Sequence, residues 1–180
     1  MQIEEAGKLD SDGFWDQKLT FGKHVGTHID APAHMLESGK QLKDFPAERF
    51  IREAVCIDAS DGFDAAVIQN ADIKSGMAVV FYTGASDYFT EEKYWHEYHV
   101  LDEESYQSLK DMRVSMIGLD TGSADIDENF PVHKSLLGSD ILIIENLTNL
   151  KELVGQKFEL VALPLKLEKD GVPARVVARK

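Results

Sequence analysis

At 180 residues, the chain has the length of one ordinary domain spanning 1–180, and its composition, 43% hydrophobic and 28% charged, argues against disorder. With 32 acidic against 19 basic residues, the formal charge of −13 repels a phosphate backbone and argues against nucleic acid as a partner. The longest apolar runs, such as Met77–Phe81 and Ile141–Ile144, fall far short of the roughly 18–20 residues that a bilayer span needs, so no membrane partner is expected.

Taken in chain order, Met1-Gln-Ile-Glu-Glu5 lacks the basic and apolar regions of a secretory signal, so the cytoplasm is the expected compartment. Phe14-Trp15 offers an aromatic wall for a pocket or an ordinary core contact. Arg52–Asp58 and Ala78–Thr83 are predicted strands, short and rich in β-branched or aromatic residues. The lone Cys56 lies in the apolar stretch Ala54–Ile57 and reads as an inert core residue, because a reactive thiol needs an exposed, electropositive setting. Val114–Asp120 and Ile141–Glu145 repeat the strand pattern, each ending in a carboxylate at the edge where α/β sheets usually bind ligands.

Helices are predicted over Ala65–Asn70, Asp102–Met112 and Val132–Leu137, the second with Asp102 as N-cap and Glu103-Glu104 in its first turn. Tyr94-Trp-His-Glu-Tyr-His99 reads as a solvated aromatic segment near the pocket rather than a further metal cluster. Leu160–Leu167 and Pro173–Arg179 flank Lys169-Asp-Gly171, a hairpin signal. Strands interleaved with short helices give a mixed α/β domain.

Of six histidines, three fall between His24 and His34, with Asp30 among them. Gly26, the β-branched Val25, Thr27 and Ile29, and Pro32 argue against a helix. On an extended strand His24, His28, Asp30 and His34 share a face. Two imidazoles and a carboxylate then make a facial N,N,O set that leaves metal positions open, which points to catalysis. Gly26 would let the metal or substrate approach the backbone, and Pro32 would stiffen the turn presenting His34.

The segment His24-Val-Gly-Thr-His-Ile-Asp-Ala-Pro-Ala-His34 resembles the H-x-G-T-H-x-D-x-P-x-H motif of the cyclase-like metal-dependent hydrolases, a family that includes bacterial kynurenine formamidase and isatin hydrolase. The resemblance extends from about Phe21 through Gly118-Leu-Asp-Thr-Gly-Ser-Ala-Asp125, Val132-His133, Glu145-Asn-Leu147 and Ala162–Leu167. It implies an α/β fold with a mixed β-sheet or barrel-like β core and short flanking helices, of the swivelling β/β/α type. It further implies one metal site at His24, His28 and Asp30, and a second at Asp30, His133 and Glu145. His34 takes the place of the catalytic acid/base, with Glu145 sharing its proton traffic. Ser123 and Asp125 would support the site through hydrogen bonds, while Asp120 is expected to close a strand rather than touch substrate.

One or two divalent ions are expected, zinc or manganese, because imidazole and carboxylate suit both. The implied reaction is hydrolysis of an amide-type C–N bond in a small molecule, with N-formylkynurenine the first candidate and an isatin-type lactam its near rival. A non-catalytic metal-binding domain for regulation or assembly is the alternative of another class. The resemblance also implies a homodimer or homotetramer.

Overall fold

The computed structural model describes residues 1–168 and 170–180. Strands β1 (Gln2–Gly7) and β2 (Asp16–Thr20) form an antiparallel hairpin around the one-turn helix α1 (Leu9–Asp12). The remaining strands are β3 (His28–Asp30), β4 (Ile51–Asp58), β5 (Ala78–Tyr82), β6 (Met116–Leu119), β7 (Leu142–Glu145), β8 (Lys157–Val161), β9 (Gly171–Pro173) and β10 (Val177–Arg179). They make one mixed sheet of order β10-β8-β4-β5-β6-β7-β3-β9. β4 to β7 run parallel, and the flanking pairs are antiparallel.

Parallel neighbours need crossovers. These carry α2 (Ala65–Asn70), α3 (Glu103–Asp111) and α4 (Pro131–Leu137). Because side chains alternate along a strand, the apolar runs divide between two cores. Val79, Phe81, Ile117 and Ile143 meet Ile68, Leu109, Val132 and Leu136 on the helical side, while Ala78, Val80, Met116 and Ile144 pack inside with Ile29, Leu160 and Val172. β9 and β10 stand at opposite ends of the strand order, yet only residues 174–176 join them. That link reaches no more than about 14 Å, so the sheet curls until its edges approach and the core becomes barrel-like.

The expected strands and helices from Arg52 to Glu145 all form, with Asp102 capping α3 by accepting a hydrogen bond from Ser105 N at 2.8 Å. The two last segments pair antiparallel as expected, through Val177↔Val161 and Pro164↔Ala174, while Gly171–Pro173 pairs with β3 instead. Lys169, part of the expected turn, lies outside the described residues.

Phe14 and Trp15 belong to no core, being 54% and 66% exposed on the N-terminal hairpin. Cys56 is buried, and burial pushes its thiol up to about 12, so it stays protonated and inert at neutral pH. Among the described residues no helix is long and apolar enough to cross a membrane.

Candidate metal centre

The site forms on the helical side of the sheet, where β3 lies between β7 and β9. His28 pairs directly across from Glu145, and Asp30 pairs with Ile143 on one side and Gly171 on the other. Ile29 and Ala31 point into the inner core, which turns His28 and Asp30 to the opposite face. That parity holds only for these two. His24 comes from the loop before β3, and His34 from a single 3₁₀ turn, Pro32–His34, with Pro32 at its start. Gly26 adopts a positive φ of 60°, and its carbonyl accepts the Nδ1–H of His28 at 2.8 Å. Its role is therefore to shape the turn. Thr27 Oγ1 ties the same turn to β7 by donating to the Asn146 carbonyl at 2.6 Å.

Each buried imidazole has one nitrogen anchored and the other turned toward a carboxylate. His133, in the first turn of α4, directs Nδ1 to Asp125 Oδ2 at 2.7 Å, while Asp125 also accepts from the backbone N–H groups of Val132 and His133. Its Nε2 lies 3.1 Å from Glu145 Oε1 and 3.7 Å from Asp30 Oδ2. His28 Nε2 is 3.3 Å from Glu145 Oε2 and 3.5 Å from Asp30 Oδ1. His24 Nε2 meets Asp170 Oδ2 at 3.1 Å, which leaves Nδ1 2.7 Å from Asp30 Oδ1. His34 stacks on His24 with ring centroids 4.0 Å apart and directs Nδ1 to Asp170 Oδ2 at 3.3 Å.

Asp30 sits in the middle, completely buried, its carboxylate facing His24 Nδ1 and His28 Nε2 through Oδ1 and His133 Nε2 through Oδ2. An isolated buried carboxylate is costly unless it meets cations or a metal. Its two oxygens face different imidazoles, and it belongs to two groups whose ligand atoms converge within 4.8 Å, His24–His28–Asp30 and Asp30–His34–His133. Imidazole and carboxylate donors of this kind suit divalent ions such as zinc or manganese, so the residues fit a divalent ion. Glu145 Oε1 also accepts from Ala124 N at 2.7 Å, which fixes the carboxylate opposite His28.

All six residues singled out in the sequence, His24, His28, Asp30, His34, His133 and Glu145, thus come together. Ser123 and Asp125 stand one layer out, Ser123 Oγ accepting from Asp125 N at 3.2 Å. Asp120 does not join them. It accepts from Thr83 N and Oγ1, Gly84 N and Ser86 Oγ, tying down the end of β5. His96 and His99 line a separate cavity with Thr83 and Tyr88. A cavity of about 310 Å³ opens onto the cluster, walled by Trp95 and Phe130 rather than Trp15. The aromatic segment expected near the pocket supplies Trp95, whereas sequence reasoning passed over Asp170 and Phe130. Asp170 was absorbed by the turn signal.

Gly171 is the tightest point. A Cβ there would stand 2.3 Å from His24 Cε1 and 2.9 Å from Asp30 Oδ1. Gly171→Ala is therefore expected to displace the His24 ring and reduce turnover on the order of 10²-fold, the effect of a misplacement of about 1 Å. Steady-state kcat/KM together with metal content measures this, and wild-type values for both would show that His24 has no place in the centre.

The charges titrate as a unit. Burial alone would lower the imidazoles, but Asp30, Glu145, Asp125 and Asp170 outweigh it at His24, His28 and His133, the last rising to about 11. Burial would raise Asp30 and Glu145, yet the imidazoles hold both below the ordinary carboxylate range. His34 goes the other way, lowered by burial and by its neighbours His24 and His133.

Raised histidines stabilise fully below about pH 6.5 and lose this as pH climbs toward their folded values; depressed carboxylates stabilise above about pH 4.5 and lose it in acid. His34 opposes the first trend but is one group against three. The metal-free protein is thus expected to be most stable between about pH 4.5 and 6.5, with a melting temperature that falls toward pH 9. Bound metal needs neutral imidazoles, so loading should flatten that alkaline decline. Calorimetry of both forms across pH tests it, and a metal-free melting temperature still rising above pH 7 would contradict it.

The "Putative cyclase" family model matches residues 3–126, so the match reaches back through the N-terminal hairpin rather than starting near Phe21. Kynurenine formamidase from Salinibacter ruber is 31% identical over 168 residues, covering 89% of this chain and 78% of the relative. A solved structure described as a potential metal-dependent hydrolase with cyclase activity is 29% identical at a TM-score of 0.80, covering 98% of this chain and 86% of that one. Isatin hydrolase A from Labrenzia aggregata, bound to benzyl benzoate, shares the fold at a TM-score of 0.86 and 24% identity, with coverage of 98% and 82%.

Proposed function

We propose that this chain, which belongs to the cyclase family of metal-dependent hydrolases, cleaves an amide-type C–N bond in a small aryl formamide, with N-formylkynurenine as the first candidate. The observation that carries the reading is Asp30: a fully buried carboxylate whose oxygens face His24 and His28 on one side and His133 on the other. On this reading His24, His28 and Asp30 hold one divalent ion, and Asp30, His133 and Glu145 a second. Such ions, zinc or manganese, would polarise the substrate carbonyl and bring the pKa of bound water to about 7.

The chain's own residues supply the rest. Trp95 and Phe130 offer flat apolar walls for an aryl ring in a cavity of about 310 Å³, the lower end of the usual range for small-molecule sites. His34, kept neutral by its low pKa, takes a proton from the attacking water as the C–O bond forms. It returns that proton to the departing nitrogen as the C–N bond breaks, and an aryl amine and formate leave. Glu145, fixed by Ala124 N and facing His28 and His133, would share the proton traffic. The exposed Ile3, Phe14, Trp15 and Leu19 of the N-terminal hairpin favour a homodimer or homotetramer.

The test is metal analysis joined to turnover of a panel of aryl formamides and cyclic amides. Metal uptake with formamide cleavage is expected. Turnover confined to cyclic amides would reassign the substrate to the isatin type, metal uptake without turnover would favour a binding domain, and no uptake would end the enzyme reading.

A further inference from the structure

We propose that Asp170 is a positioning residue that couples a metal-binding imidazole to the proton-transferring one, holding His24 and His34 through a single carboxylate oxygen. This rests on the metal-dependent reading above. Asp170 is placed by the main chain. Its carbonyl accepts the Ala31 N–H at 2.7 Å just beyond β3, and the next residue, Gly171, pairs with Asp30. The carboxylate cannot swing freely, because Lys23 Nζ holds Oδ1. Oδ2 is left facing both rings, 3.1 Å from His24 Nε2 and 3.3 Å from His34 Nδ1.

A carboxylate oxygen only accepts, so each ring must present an N–H to it. That choice sets the tautomer of His34, whose Nε2 lone pair is left for a reacting proton. At His24 it commits Nε2–H to Asp170 and leaves Nδ1, 2.7 Å from Asp30 Oδ1, as the nitrogen that would turn to a bound ion. The rings stack with an interplanar angle of 26°, so neither can tilt without disturbing the other or leaving the shared acceptor. His133 and His28 have separate anchors, Asp125 and the Gly26 carbonyl. His24 and His34 thus share one anchoring oxygen, which makes the posture of the acid/base depend on the seating of a metal-binding ring.

The experiment compares wild type, Asp170→Ala and Asp170→Asn, each loaded with zinc, in two readouts. The first is zinc retained against a graded chelator. The second is kcat on an aryl formamide, whose nitrogen needs a proton to leave, against kcat on an aryl formate ester of the same ring, whose phenolate leaves without one. In Asp170→Ala zinc affinity is expected to fall about 10–100-fold, the usual effect of losing the partner of a metal-binding histidine. Formamide turnover should fall further than ester turnover. Asp170→Asn keeps an acceptor oxygen in place and should recover most of the zinc affinity and narrow the gap between substrates.

Unchanged zinc affinity in both variants, or equal losses on both substrates, would overturn the proposal. A wild type that takes up zinc and cleaves the formamide confines such a failure to Asp170. A wild type that takes up no zinc would overturn this proposal and the metal-dependent reading together.

Discussion

Asp30→Asn is expected to abolish stable metal binding and, with it, hydrolysis. The loss in metal affinity should exceed the 10–100-fold that follows from removing only a ligand's hydrogen-bond partner, because this side chain offers an oxygen to both sets of imidazoles. Asparagine keeps the shape and one carbonyl oxygen but gives up the charge and the second acceptor. A rival account treats Asp30 as a counter-ion for buried imidazoles and nothing more. Both accounts predict lower stability in the metal-free state, since removing one partner of a buried ion pair costs about 3–5 kcal/mol. At roughly 2–4 °C per kcal/mol for a chain of this size, that is a drop of about 6–20 °C. They part on metal. Elemental analysis after dialysis should find the variant empty under conditions where wild type is loaded, and equal occupancy would leave Asp30 only its counter-ion role.

Legibility from sequence followed the range of the interactions. The parallel strands and their helices were readable because each is a local signal: an apolar run, then a capped helix. α2 forms over Ala65–Asn70 as expected, since Asp64 caps its start by accepting from Ala66 N. β3 was readable only as part of a longer extended stretch, and the bounds of β9 were not readable. Each has three residues, and each exists only because a strand distant in the chain lies beside it.

The same distinction divides the site. His28 and Asp30 obey strand parity, whereas His24 and His34 reach the cluster through a loop and a 3₁₀ turn that parity does not describe. His133 and Glu145 lie more than 100 residues beyond His28; motif resemblance drew attention to His133, and its place at the end of an apolar strand as well as the resemblance drew it to Glu145. Asp170 shows the reverse failure. Asp-Gly is so ordinary a turn pair that its local explanation hid a long-range one, its contact with His24 and His34.

His34→Ala is expected to keep its metal and lose about 10²–10⁴-fold in kcat, the usual contribution of a positioned acid/base. Elimination among four imidazoles singles out His34. His24, His28 and His133 lie against carboxylates that raise their pKa, so in the metal-free cluster they hold protons rather than accept them. His34 alone is lowered, and its side chain is 27% exposed where those of His28 and His133 are 3%, so it can both accept a proton and exchange it with water. A base must be neutral to act, so wild-type kcat/KM should fall only on the acid side of about pH 6.5, as His34 takes up its proton. The alanine variant should lose that acid limb, and imidazole added to the buffer should restore part of the rate by entering the space the ring leaves. A purely structural His34 would give a different result: turnover reduced equally at every pH, with no response to imidazole.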